Sequence, residues 1–407
     1  MDNLPTEILA SILAFIPVKS LIRFKCVSKT WYSVISSPYF SNLHLKHSIS
    51  PDRLLILNRG CFLKPGYIDP NHGNHPSSFV PLFLDNSDNF GDDAGTTFSL
   101  PPQSNRVNVQ LCGSCNGLIA TVQKTVSDSI CFLTGSFLYE VILWNPMIVN
   151  SYYKLPSADL PVGIVSSVSF GFGFDSITSD YKVIRIVDFK VRHLVGTRLS
   201  CCFSLCKRQV MVYSLKRGSW GVPKEEFCDD RLALLHKRGE LVNNIVHWIF
   251  YDDKNGVHRL RGFNLCSEQW TGLLPLPDFK GNTRKCENVK DLGVLGGCLC
   301  FVVRPDEFNT VNVWIMKEYE VKKSWSKLFS LSEMDVIGPL CSSPIAYSTG
   351  GDEVIVRNER DSCGLIWFNL KDKTFKSIDH VGASLDIIIC NGSLVPLPKI
   401  DGLTGDD

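Results

Sequence analysis

Apolar positions in the first forty residues recur at helical spacing: Ile8, Leu9, Ile12, Leu13 and Ile16 follow Pro5, which suits a first helical turn, and Glu7, which favours the positive end of the helix dipole. Pro17 stops this helix. Val18, Leu21, Ile22 and Cys26 predict a second short helix, and Val27, Trp31, Val34 and Ile35 a third that Ser37-Pro38 closes. So small a helical unit leaves most of its surface exposed and cannot bury a full core alone, so it needs a partner surface. After Leu54 the pattern changes to short apolar runs broken by Gly, Pro, Asn and Asp, the signature of many short strands.

These strands repeat. Tyr213-Ser214-Leu215 is followed by Trp220, Phe263-Asn264-Leu265 by Trp270, and Phe368-Asn369-Leu370 by Phe375, the second aromatic lying seven residues after the first each time. Val313-Trp314-Ile315 with Trp325 is a looser copy, and Trp144-Asn145-Pro146 with Tyr152 an earlier one. Successive copies from Tyr213 lie about 50 residues apart, the length of four antiparallel strands and their turns, which is one blade of a β-propeller. An upstream half accompanies them, in Cys115-Asn116-Gly117-Leu118, Ile245-Val246-His247-Trp248 and Gly296-Gly297-Cys298-Leu299, where Gly allows close backbone approach near a central axis. Dividing the chain at its turns predicts blades at 52–105, 108–157, 167–223, 241–277, 291–331 and 342–380. Six blades are favoured, with seven the alternative, and a strand around Leu385 to Ile389 or one around Leu394 returns to the first blade to close the ring. Recurrence once per blade makes Trp220, Trp270, Trp325 and Phe375 inter-blade packing residues rather than binding residues.

The N-terminal run Leu4-Pro5-Thr6-Glu7-Ile8-Leu9, then Pro17-Val18-Lys19-Ser20-Leu21, Arg23-Phe24-Lys25-Cys26-Val27-Ser28-Lys29, Trp31 and Ser37-Pro38 with Phe40, resembles the F-box of the large plant F-box group. Cys115-Asn116-Gly117-Leu118, Trp144-Asn145-Pro146, Phe174-Asp175 with Asp180-Tyr181-Lys182-Val183, and the closing Ser393-Leu394-Val395-Pro396-Leu397 resemble the plant F-box-associated domain. The double glycine recurs only at Gly296-Gly297 and Gly350-Gly351, so the domain is kelch-like rather than kelch proper. The resemblance implies a three-helix F-box at residues 1–45 and an all-β kelch-like propeller at 52–398. It further implies a substrate-recognition subunit of a Skp–cullin–F-box ubiquitin ligase. Leu4, Pro5, Ile8, Leu9, Ile12, Pro17, Leu21 and Phe24 would line the contact with the Skp adaptor, and cullin would follow through that adaptor. The domain pair is similar to S-locus F-box proteins, whose family role is recognition of S-ribonucleases in self-incompatibility. The competing reading is a kelch-like scaffold or lectin-type binding protein with no ligase role; an F-box would then be superfluous.

Composition narrows the setting. The 407 residues carry 42 basic and 41 acidic side chains for a net charge of +1, so no overall field argues for nucleic acid or a membrane surface. The N-terminal stretch is mildly basic, through Lys19, Arg23, Lys25, Lys29, Lys46 and Arg53. The apolar stretch from Ile8 to Ile16 is too short to span a bilayer and lacks the flanks of a signal peptide, which points to the cytoplasm, with the nucleus as a second compartment. The 16 cysteines are scattered through a long chain and read as small buried hydrophobes, and Asn391-Gly392-Ser393 as a silent glycosylation pattern.

Long inserts interrupt the repeat at Gly60–Ser78, Asp85–Thr97, Lys190–Gln209 and Pro223–Gly239. Loops of this kind carry recognition in propellers, so Asp85, Asp88, Asp92 and Asp93 on an acidic insert and Lys207 and Arg208 on a basic one are the candidate target-binding residues. Cys112-Gly113-Ser114-Cys115 has the spacing of half a zinc site, but no second half with metal-ligand spacing accompanies it. No nucleophile elbow, Walker loop or His-Glu-x-x-His occurs, and Asp175, Asp180 and Asp352 suit turns as well as an active site. The expectation is no catalytic residue, no metal and no cofactor.

Overall fold

The computed structural model describes residues 4–47, 53–59, 78–84, 108–126, 137–148, 151–192, 203–225, 227, 232–235, 238–252, 254–277, 289–304, 310–332, 344–357, 365–378 and 386–398. They fall into two compact units: Met1–Thr125, Leu138–Ser157 and Leu385–Asp407 form one, Val126–Phe137 and Ala158–Ser384 the other.

The first unit opens with four helices, not three: α1 (Thr6–Leu13), α2 (Val18–Phe24), α3 (Lys29–Ile35) and α4 (Pro38–His47). Pro5 and Pro17 stand at the N-caps of α1 and α2, and the Ser28 hydroxyl accepts from the Trp31 N–H to cap α3. Ser37-Pro38 ends α3 as expected, yet the same pair starts α4. The Ser37 hydroxyl accepts from the Phe40 N–H at 3.1 Å, and Pro38 takes the first helical position, where its missing N–H costs nothing. Leu9, Leu13, Val18, Leu21, Val34, Ile35 and Phe40 point inward. His44 is buried with them, its Nε2–H donating to the Ile16 carbonyl at 2.9 Å.

Two sheets complete this unit. β1 (Arg53–Arg59) lies between β2 (Ser78–Leu84) and the last strand of the chain, β24 (Asp386–Asn391), with Ile56 opposite Ile388. The expected return of the strand near residues 385–389 to the first sheet therefore holds. The second sheet is the meander β3 (Asn108–Cys115), β4 (Leu118–Val126), β5 (Phe137–Trp144) and β6 (Tyr152–Lys154). Asn116 (φ 51°) and Gly117 (φ 79°) form its first turn, a type I′ hairpin. A Cβ on Gly117 would fall 2.2 Å from the Ser393 Oγ and 2.7 Å from the Asn391 carbonyl oxygen, so close approach demands glycine as much as the backbone angle does.

The described residues of the second unit form four sheets. The first is β7 (Ile164–Asp175), β8 (Asp180–Arg192), β9 (Phe203–Ser214) and β10 (Ser219–Gly221). The next is β11 (Leu232–Leu234), β12 (Glu240–Val242), β13 (Ile245–Asp252), β14 (Val257–Asn264) and β15 (Gln269–Leu274). Then come β16 (Val289–Leu295), β17 (Cys298–Val303), β18 (Thr310–Met316) and β19 (Trp325–Ser332), and finally β20 (Pro344–Tyr347), β21 (Glu353–Arg357), β22 (Leu365–Asn369) and β23 (Phe375–Ile378). Among the described residues five sheets have the four strands of a blade or more, and the sheet of β1, β2 and β24 has three. Among the described residues the complete blades number five, not the six favoured or the seven held as the alternative. The stretch 52–105 contributes only two described strands, and the third is borrowed from the far end of the chain.

The repeated aromatic pair is a hairpin. Tyr213 pairs with Trp220, Phe263 with Trp270 and Phe368 with Phe375 across the last two strands of their sheets. In each, the fifth residue after the first aromatic turns left-handed: Gly218 (φ 66°), Glu268 (φ 54°) and Lys373 (φ 63°). Burial separates the copies. Trp270 joins Trp248, Phe250, Ile184 and Val212 between neighbouring sheets, and Trp325 does the same with Phe301, Leu260 and Ile249. Trp220 is only half-buried, and Phe375, on an outermost strand, is exposed.

The insert expected at Lys190–Gln209 is shorter than the sequence suggests. β8 runs to Arg192 and β9 resumes at Phe203, so Lys207 and Arg208 are paired strand residues, opposite Phe189 and Asp188.

Candidate functional site

Helix α1 is apolar on two opposite sides. Leu9, Ala10 and Leu13 face the helical core, while Ile8, Ile12 and Phe15 stand one above another on the other side, 49%, 54% and 55% exposed. With Glu7 and Ser11 they line an open concavity of about 520 Å³. The inner face of α1 is already packed, so a second, exposed apolar row on the same helix is the kind of patch that marks an interaction surface. Leu4 and Pro5 extend the row at its N-terminal end, both exposed, and Pro17 is exposed at the head of α2.

The eight residues read from the sequence as one contact therefore divide. Leu4, Pro5, Ile8, Ile12 and Pro17 are presented to solvent; Phe24 is half-buried, edge-on to Trp31 with ring centroids 5.5 Å apart. Leu9 and Leu21 face inward. Phe15 was missed, although it continues the spacing from Ile8 through Ile12. So were Val27, Tyr32 and Tyr39, all more than half exposed on the same module. Basic side chains border these apolar groups, with Arg23, Lys29 and Lys46 exposed.

Of the residues proposed for target contact, Asp85, Asp88, Asp92 and Asp93 lie outside the described residues. Lys207 is exposed. Arg208 is turned inward: it donates to both carboxylate oxygens of Asp188 (2.6 and 2.8 Å) and to the Leu232 carbonyl (2.6 Å), and packs over the rings of Phe227 and Phe250. Its charge is spent within the sheets.

The polar residues of the repeat motif also serve turns. Asp175 accepts from the N–H groups of Ile177 and Thr178 and from the Thr178 hydroxyl. Burial pushes its pKa up, but these hydrogen bonds and the Lys182 ammonium outweigh it and hold the carboxyl below its ordinary value. Lys182, itself buried, reaches the Leu265 carbonyl (2.6 Å) and Glu268 (2.9 Å), tying the first turn of one sheet to the last hairpin of the next. His247 is enclosed as well. Its Nδ1–H donates to the Glu240 carbonyl, which leaves Nε2 to accept from the Tyr319 hydroxyl at 2.7 Å. Among the described residues no group of three His, Cys, Asp or Glu side chains could hold a metal ion.

Comparison with known proteins adds the decisive observation: residues 84–396 match the F-box associated beta propeller domain, and residues 1–43 the F-box domain. The chain belongs to the F-box associated beta propeller family. F-box protein CPR1 of Arabidopsis thaliana is 28% identical over 93% of this chain and 84% of its own length. The F-box/kelch-repeat protein At3g23880 of the same plant is 28% identical over 97% and 94%. Among solved structures, TolB from Acinetobacter baumannii aligns with 83% of this chain and 66% of its own at TM-score 0.43 and 12% identity, a likeness on which nothing below rests. This plant F-box protein thus pairs two modules whose combination implies substrate recognition in a Skp–cullin–F-box ubiquitin ligase, with the F-box binding a Skp-family adaptor. F-box proteins are typically adaptor subunits of such complexes. No helix among the described residues is long and apolar enough to cross a membrane.

Proposed function

We infer that the outer row of α1, from Leu4 and Pro5 through Ile8, Ile12 and Phe15, with Pro17 and the exposed edge of Phe24 beside it, is the Skp-binding surface. Cullin is then engaged through the adaptor. The observation that carries this reading is the second apolar face on a helix whose first face is already packed. Leu9 and Leu21 support the surface from behind, by fixing α1 and α2 against the module's core. The propeller holds the target protein close to the ubiquitin-charged enzyme, so the chain contributes proximity and no active site of its own.

Target choice is assigned to the inserts at 60–78, 85–97 and 190–209. The strands and hairpins between them are committed to packing, whereas inserts can vary without disturbing it. Beside the last insert, Lys207 on β9 and Lys190 on β8 are basic residues that face solvent. The acidic insert with Asp85, Asp88, Asp92 and Asp93 would bind a basic target surface, and such binding weakens with salt. An S-ribonuclease target has no support from the relatives and is not carried forward. The working place of such a receptor is the cytoplasm or the nucleus. Pull-down of the intact protein from plant extract, read by mass spectrometry, tests both halves: adaptor and cullin should be recovered with the wild type, and exchange of the inserts with those of a related chain should change the remaining proteins while keeping the adaptor.

A further inference from the structure

The sequence requires that the N-terminal helices find a covering surface, and the structure shows that one such surface belongs to the chain itself. Leu9, Leu13, Leu21, Ile35 and Phe40 share a single buried cluster with Cys390 of β24 and with Leu394 just beyond it. Ser41 of α4, itself buried, donates its hydroxyl to the Leu394 carbonyl at 2.9 Å across 353 residues of sequence. That carbonyl-bearing segment is held from its other side. Asn145 donates through Nδ2 to the carbonyls of Ser393 (3.1 Å) and Val395 (2.9 Å), while its Oδ1 accepts from the Met147 N–H. Gly117 leaves room for Ser393, as the close approach above requires.

We propose that the segment Asn391–Pro396 is a positioning element for the adaptor surface: it completes the core against which α1 is set, so the F-box becomes competent only once the far end of the chain has docked. The F-box motif alone is then insufficient. A lesion at Leu394 acts on Skp capture without touching Skp, because it removes an apolar wall of the cluster that orients α1. The arrangement also couples the two modules in assembly, since an incompletely folded C-terminal segment leaves the helices without one side of their core. The readout at the adaptor rests on the Skp-binding reading above; the coupling itself does not.

The test uses the full chain and three variants: Leu394→Ala, Leu394→Ile, and Val354→Ala as an equally buried site in the second unit. Amide hydrogen exchange is followed peptide by peptide, together with binding to a purified Skp adaptor. The expected result is that Leu394→Ala raises exchange across α1 to α4 by about tenfold or more, while leaving β20 to β23 protected. Adaptor binding falls with it, and Leu394→Ile restores both. Val354→Ala should loosen its own sheet and leave α1 to α4 unchanged. Unaltered exchange of α1 to α4 in Leu394→Ala, or equal acceleration by Val354→Ala, would overturn the proposal. If Leu394→Ala cannot be purified, Ser41→Ala supplies the milder lesion and the same two outcomes decide. Should the wild type fail to bind the adaptor while α1 to α4 still respond to Leu394→Ala, the binding assignment falls and the coupling stands.

Discussion

Phe263 and Trp270 face each other across the hairpin of β14 and β15, their ring centroids 5.2 Å apart and nearly perpendicular. Phe368 and Phe375 occupy the same two places in the last sheet, yet Phe375 is exposed. Register alone does not make the second aromatic a packing residue; the neighbouring sheet must cover it.

Trp270→Ala should therefore cost about 3–5 kcal/mol, because it empties the centre of an aromatic cluster containing Phe227, Trp248 and Phe250. Phe375→Ala should stay within about 0.5 kcal/mol, as expected for surface substitutions away from special features. Denaturant unfolding of the two variants measures this directly. Equal losses would mean that the hairpin itself, rather than burial, sets the contribution.

Removing the Lys182 ammonium leaves Asp175, still hydrogen-bonded to Ile177 and Thr178, and the slightly exposed Glu268 without the cation between them. Lys182→Met should accordingly destabilise the second unit by about 1–3 kcal/mol, less than a fully uncompensated buried charge would cost because the hydrogen bonds to Asp175 remain. Thermal melts report the loss, and adding Asp175→Asn to Lys182→Met should recover part of it. No recovery in the double variant would show that the lysine's stem, not its charge, matters there.

His247 gives a pH signature. Burial lowers its pKa to about 4, against the opposing pull of the Glu240 and Ile245 carbonyls. The unfolded chain binds this proton near pH 6.5, so stability is full above that value and declines as pH falls towards 4, by about 3 kcal/mol in all. Below about 4 the folded protein also takes the proton and this dependence ends. His247→Gln should flatten the stability profile between pH 4 and 6.5 relative to the wild type; identical slopes would remove His247 from the account.

The parts legible in the sequence were those fixed by local spacing. The seven-residue aromatic interval is the cross-strand distance of a particular hairpin, whereas Asn116-Gly117, read from the sequence only for close backbone approach, forms the type I′ turn between β3 and β4. Pro38 shows how a local signal can be read one way too few: proline ends one helix and is well placed to start the next. Long-range pairing left no such trace. That Arg208 is held by Asp188 depends on the register of β8 against β9, whereas the return of β24 to β1 was expected from the need to close a ring and not from local spacing. The two faces of α1 were both visible as apolar spacing, but only the fold decides which of Leu9 and Ile8 looks inward.

That decision yields the most direct test of the central assignment, affinity for a purified Skp adaptor measured beside thermal stability. Ile8→Asp with Ile12→Asp should leave the melting temperature within a few degrees of wild type, because both side chains are exposed, and should weaken adaptor binding by about 2 kcal/mol or more, as loss of an interface anchor does. Leu21→Asp, fully buried, should instead unfold the helical module and lose binding together with stability. An Ile8→Asp, Ile12→Asp protein that folds and binds the adaptor with wild-type affinity would contradict the account.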